Sequence, residues 1–227
     1  MTRRGRKRKG SCGKSENLSL LGSNANGIKS KMESLLSNIS TFKPTILTIQ
    51  ETKLSRRSLV KLKGYQIFET PRAGKIGGGL LTAIDENLDS VEIMAHEDTL
   101  YDILTIQFKI RDLQVRVINA HGPQEDESAV DILQFWLKIE EEVEAAKDNN
   151  CLVIMQLDAN AKVGNTVIKN DPHNKSGNGV LFLDLVRRQN LFLANASSRC
   201  QGVITRVRKL FRESKNLSLT TLLSVNR

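Results

Sequence analysis

The stretch CLVIMQLDANAKVGN, residues 151–165, decides how this chain is read. Apolar or polarisable residues run from Cys151 to Met155, as in a buried strand. Gln156, Asp158 and Asn160 then follow at alternate positions. In a strand, residues two apart face the same side, so Asp158 and Asn160 would address one target together. Asp and Asn are also ordinary turn formers where a strand stops, and this stretch alone favours that plainer reading.

Working outward, the same pattern recurs. NLSLLGSNANG (17–27) reads as a strand that breaks into a loop. IKSKMESLLSNI (28–39) spaces Ile28, Met32, Leu35, Leu36 and Ile39 as one face of a helix. PTILTIQE (44–51) is a short β-rich run closed by Glu51. YQIFET (65–70) and GGGLLTAI (77–84) read as further strands, and GKIGGG (74–79) as a tight turn into the second, since it lacks P-loop spacing. DILTIQFKI (102–110) and LQVRVINA (113–120) flank Arg111-Asp112 as a hairpin. ESAVDILQFWLKIEEEVEAAK (127–147) is a long helix, with Phe135 and Trp136 on its core side. GNGVLFLDLVRRQN (177–190) reads as a helix and LFLAN (191–195) as a strand. Hairpins mixed with strand–helix–strand units predict an α/β fold with mixed sheets in layers.

Composition limits the function. At 227 residues and 39% hydrophobic, the chain can bury a sizeable core. No apolar run approaches the ~18 residues of a membrane span. The charged N-terminus has no long apolar stretch after it, which argues against a secretory signal. Cys12, Cys151 and Cys200 lie far apart with no zinc spacing, as expected in a reducing compartment. The net charge of +9 is concentrated at the ends: residues 1–14 carry +7 and residues 206–227 carry +5, leaving residues 15–205 at −3. The basic run RRGRKRK suits nonspecific phosphate contacts or a nuclear address, so the expected location is nuclear or cytoplasmic. The expected organisation is a basic disordered arm (1–16), one folded domain (17–205) and a basic tail (206–227).

Short-armed polar residues stand at one strand end after another: Asn24 and Asn26, Glu51, Asn119 and His121, Asp158 and Asn160. If the strands pair, these ends meet at one edge. A lone Glu with amides and an imidazole around it suits Mg²⁺, which prefers oxygen ligands, keeps most of its waters and needs only one or two carboxylates. Such an ion stabilises phosphoryl charge, while a second carboxylate orients the attacking water. His96 and His173 read as loop residues, and nothing near Cys151 points to a nucleophile.

The blocks SNANGI, ILTIQETKL, AGKIGGGLLTAI, VRVINAHGP and LVIMQLDANAKVG, in this order and spacing, resemble the endonuclease/exonuclease/phosphatase superfamily. They are most similar to the apurinic-endonuclease-like nicking domain of non-LTR retrotransposons, encoded with a reverse transcriptase. The resemblance spans roughly residues 17–205. It implies a four-layer sandwich of two packed mixed β-sheets flanked by helices, and Mg²⁺-dependent phosphodiester hydrolysis on DNA, with Mn²⁺ as a substitute ion. It assigns Asn24 to the metal and phosphate site, Glu51 to the metal, Asp158 to the water and Asn160 to the scissile phosphate. Asn26 fills a slot that often holds Asn or Asp.

Three positions depart from the pattern. His121 stands where the superfamily usually has tyrosine and would still donate a hydrogen bond to the phosphate, with a different reach and pKa, and Leu157 stands where it has glycine. The superfamily also ends in an aspartate and a Ser-Asp-His signature. Here no histidine follows His173 and no aspartate follows Asp184. The resemblance therefore implies incomplete C-terminal strands and impaired activity, as in a truncated or frame-shifted element copy. Two rivals stand beside the nicking enzyme. One is an inactive remnant that binds nucleic acid through its basic ends. The other is a relative acting on phosphoinositides or sphingomyelin.

Overall fold

The computed structural model describes residues 18–71, 78–97, 100–165 and 174–194, together with the short strand Leu222–Leu223. The basic arm, the turn residues 72–77, His173, Cys12, Cys200 and most of the tail lie outside these residues.

Two sheets pack face to face between helices. The first has the order β1-β2-β4-β3, from β1 (Leu20–Asn24), β2 (Ile46–Gln50), β3 (Tyr65–Thr70) and β4 (Leu80–Asp85). β1 and β2 run parallel, and the other pairs are antiparallel. The second has the order β5-β6-β7-β8-β9, from β5 (Ser90–Glu97), β6 (Asp102–Ile110), β7 (Leu113–His121), β8 (Leu152–Asp158) and β9 (Leu222–Leu223). Only β7 and β8 are parallel in it, joined through the helix α2 (Ala129–Asp148) as parallel neighbours require.

The expected α/β class and four layers are present. α1 (Met32–Phe42), entered through a 3-10 turn at Ile28–Lys31, covers the outer face of the first sheet over Leu21, Leu47, Ile49, Leu81 and Ala83. α2 and α3 (Gly177–Arg188) cover the second over Ile103, Ile118, Ala120, Val153 and Met155. Between the sheets lie Ile46, Leu80, Ile84, Leu104, Ile106, Phe108, Val115, Val117 and Ile154. Phe135 and Trp136 are core residues on α2 and form an edge-to-face pair. Among the described residues, no helix is long and apolar enough to cross a membrane.

Two readings need correction, and one strand is added. Residues 191–193 are not a strand: Leu191 N–H donates to Val186 O at the end of α3, and Leu191 and Leu193 pack into the helix-side core. Asn195, the end of that reading, lies outside the described residues. β5 went unread because its register shifts between Glu92 and Met94, which breaks the alternation a strand normally shows. His96 is therefore a strand residue, its ring stacked on Tyr101 at 5.1 Å.

The interior between the sheets turns polar toward one edge. Thr48 and Gln50 on β2, Asn119 on β7 and Gln156 on β8 are all buried. Gln50 Nε2 donates to Asn119 Oδ1 at 2.7 Å, Asn119 Nδ2 donates to Leu81 O at 3.0 Å, and the Thr48 hydroxyl donates to Gln156. Buried amides cost little only when satisfied in this way. Gly22 on β1 makes the crossing close, because a Cβ there would overlap the Gln156 carboxamide.

Candidate active site

One pleat beyond that polar layer, the strand ends meet. Asn24 lies two residues after Gly22, His121 two after Asn119, and Asp158 two after Gln156, so each shares its predecessor's face. His121 and Asp158 are register partners in the β7–β8 ladder. Asn24 Nδ2 donates to Glu51 Oε1 at 2.7 Å and to Asp158 Oδ2 at 2.5 Å, spanning the gap between the sheets. Asn24 Oδ1 accepts from Asn26 N–H at 2.9 Å, which fixes the amide's orientation. Ligand atoms of Glu51, His121 and Asp158 all lie within 4.8 Å of one another.

Glu51 reaches this point by an irregular route. Thr48 and Gln50 face the inter-sheet layer, so a continuous strand would turn Glu51 the other way. Its φ of 49° places the backbone in the left-handed region and breaks the alternation. Such a conformation is uncommon outside Gly, Asn and Asp, and costs on the order of 1–3 kcal/mol. The surrounding backbone holds it: Gly27 N–H donates to Glu51 O, Thr52 N–H to Gly79 O and Lys53 N–H to Gly78 O.

The carboxyl of Glu51 is held down to a pKa of about 2. The His121 imidazole is the largest cause, with Nε2 3.6 Å from Oε1. Partial burial opposes it, and the Asn24 amide and the Lys53 charge add to it. The His121 ring is 5% exposed, and among the described residues its 3.6 Å approach to Glu51 is longer than a hydrogen bond.

Asn160 is placed differently from the expectation. β8 ends at Asp158, and Asn160 has a φ of 47°, so the strand pleat is not what sets its direction. Its Nδ2 donates to Gly122 O at 3.0 Å, which ties it to the residue after His121. Asn26, also left-handed with a φ of 44°, accepts from Lys53 Nζ at 2.5 Å on the exposed rim.

Two supports were not read in the sequence. Asn178 near the start of α3 is 2% exposed, accepts from Trp136 Nε1 at 2.5 Å and donates to Ala159 O at 2.8 Å. It thereby pins the loop that carries Asn160 to α2. The signal available was a polar residue inside an otherwise apolar helix start. The other is Asp102, wholly buried and directly across from His121 in the β6–β7 register. Its Oδ2 accepts from Gly79 N–H at 3.0 Å, linking the glycine turn behind Glu51 to the strand beside His121.

The chain shares its fold with several solved nuclease and phosphatase structures. The endonuclease domain of TRAS1, a telomere-specific non-LTR retrotransposon, superposes with a TM-score of 0.65 at 16% identity, covering 91% of this chain and 85% of that one. The AP endonuclease LMAP from Leishmania major gives 0.60 at 15% identity, with 77% and 67% covered. The 3′ phosphatase NExo from Neisseria, bound to a product DNA hairpin, gives 0.55 at 17% identity, with 75% and 71% covered. No protein-family model and no curated protein sequence matches the chain.

Proposed function

We propose that this chain is a divalent-metal-dependent phosphodiesterase domain that acts on DNA, in the manner of a retrotransposon nicking domain. The observation that carries the reading is the junction of Glu51, His121 and Asp158 with the Asn24 amide between the two carboxylates. Its donors fit a small dication: two carboxylates, one of them held ionised, and a buried imidazole whose Nε2 faces Glu51 Oε1 at 3.6 Å. Glu51, His121 and Asp158 would hold the ion, which would offset charge on a phosphoryl oxygen.

The other roles belong to this chain's own groups. Asp158 takes the hydrogen bond of the attacking water and aligns it with phosphorus. Asn160, tied through Nδ2 to Gly122 O beside His121, lies where a phosphate oxygen would approach. Asn24 holds the two carboxylates at one point. Lys53, on the rim beside Asn26, offers a cation to a neighbouring phosphate. The arm 1–14 adds nonspecific phosphate contacts.

A second reading, nucleic-acid binding without hydrolysis, is favoured by one observation: residues 1–14 carry +7 and suit phosphate contacts that need no active site. The deciding assay is nicking of supercoiled plasmid with Mg²⁺ or Mn²⁺, comparing the chain with Glu51→Ala. Slow nicking that Glu51→Ala abolishes supports hydrolysis. Nicking at the same rate in both, or none above background, overturns it, and plasmid binding without nicking would support the second reading.

A further inference from the structure

We propose that the Glu51–His121–Asp158 site selects a first-row transition-metal dication over magnesium. The inference rests on reading this pocket as a cation site and goes further by naming the chemical class of the ion.

Mg²⁺ demands oxygen ligands in near-ideal octahedral geometry and gains little from a neutral nitrogen. Imidazole suits zinc and its neighbours, whose affinities rise along the first-row series. The superfamily resemblance implies a tyrosine at position 121, which would leave an all-oxygen environment; histidine makes the set two carboxylates and one imidazole. The geometry suits direct ligation. Two atoms each bound at ~2.0–2.2 Å to one zinc ion lie no more than ~4.4 Å apart. His121 Nε2 and Glu51 Oε1 are 3.6 Å apart, inside that limit. The three ligand atoms fall within 4.8 Å, so the widest pair closes by a side-chain rotation of under about an ångström.

An independent observation points the same way. The His121 ring is 5% exposed, its Nε2 faces Glu51 Oε1 at 3.6 Å, and it stands with the two carboxylates at one point. A phosphate-binding donor could stay hydrated until substrate arrives, whereas this ring is already withdrawn from water beside Glu51. Metal-bound imidazoles are usually backed by a carboxylate, carbonyl or water on the other nitrogen. Asp102 stands directly opposite His121 on the adjoining strand, where facing Cβ atoms lie about 4.5–5.5 Å apart.

The test uses the full chain, stripped of metal and without DNA. Calorimetric titration with Zn²⁺, Mn²⁺ and Mg²⁺ is expected to give one site, at least ~10-fold tighter for zinc and manganese than for magnesium. His121→Asn should lower zinc and manganese affinity by ~10–100-fold and leave magnesium nearly unchanged. Pulsed paramagnetic resonance of the manganese-loaded chain should show coupling to a histidine nitrogen, lost in His121→Asn. Melting without metal checks that this variant folds. If it does not, His121→Tyr takes its place in the same titrations. Equal affinity for magnesium and manganese, or no nitrogen coupling at the site, overturns the proposal. Nitrogen-coupled binding without plasmid nicking would leave it standing and refute the phosphodiesterase reading. Nicking supported equally by magnesium, without nitrogen coupling, would do the reverse.

Discussion

Gly22 on β1 and Gln156 on β8 touch across the two sheets so closely that any side chain at position 22 would overlap the Gln156 carboxamide. Gln156 is fully buried and bonded to Thr48, so it cannot swing clear without breaking that bond. One pleat further, Asn24 and Asp158 make the contact that closes the site. Gly22→Ala is therefore expected to cost about 1–3 kcal/mol of stability, as overpacking does, and to weaken metal binding. Gly22→Ala combined with Gln156→Ser should recover part of the stability. Additive losses in denaturant titrations of the double-mutant cycle would show that the two positions do not press on each other.

Glu51 gives a pH signature in the metal-free chain. Its folded pKa of about 2 lies below its ordinary 4.5. The ionised form is thus favoured by folding. The stabilisation is fully present above pH ~4.5 and is lost as pH falls toward the folded value. Glu51→Gln should flatten the stability curve between those limits and leave its shape near neutrality unchanged. Urea unfolding in a chelator at several acid pH values measures this, and an unchanged acid limb in the variant would contradict the assignment.

Asn178 is expected to matter more than its distance from the cation ligands suggests. Asn178→Ala leaves the buried Trp136 N–H without its acceptor and releases the Ala159 carbonyl. The expected loss is about 1–3 kcal/mol. In the nicking assay the variant should lose rate through Asn160 while keeping its metal affinity. A parallel fall in metal affinity would place the damage at Asp158 instead.

Residues 1–14 carry +7, so deleting residues 2–14 should weaken DNA binding and reduce the slope of log affinity against log salt. Fluorescence anisotropy with a short duplex at several salt concentrations gives the slope. An unchanged slope would move the phosphate contacts to the folded domain, with Lys53 the first residue to replace.

Most of the strands and helices were legible because their apolar periods are regular: Leu152–Leu157 and the helix around Trp136 show this plainly. The candidate site was legible as types of residue, since a carboxylate or amide at the end of an apolar run stands out. Its geometry was not. Nothing in IQET announces that Glu51 takes a left-handed backbone, and DAN suggests a shared strand face that Asn160 does not occupy. LFL at 191–193 reads as a strand because apolar content alone does not distinguish a strand from a segment packing under a helix. Thr48-x-Gln50, Asn119-x-His121 and Gln156-x-Asp158 held a further clue. Polar residues at period two inside buried strands are the trace of the inter-sheet network.

The hydrogen bond between Asn24 and Asp158 joins residues 134 positions apart. Closing so long a loop costs entropy that grows with the logarithm of its length, and such contacts form late in folding. The first sheet can complete itself by Asp85, yet it holds only Asn24 and Glu51. His121 and Asp158 arrive with the second. The site is thus a gauge of docking: a partly folded chain with both sheets formed but apart would carry every candidate residue and have no site at all. Metal retention would then follow the last step of assembly, while secondary structure would report only the earlier ones.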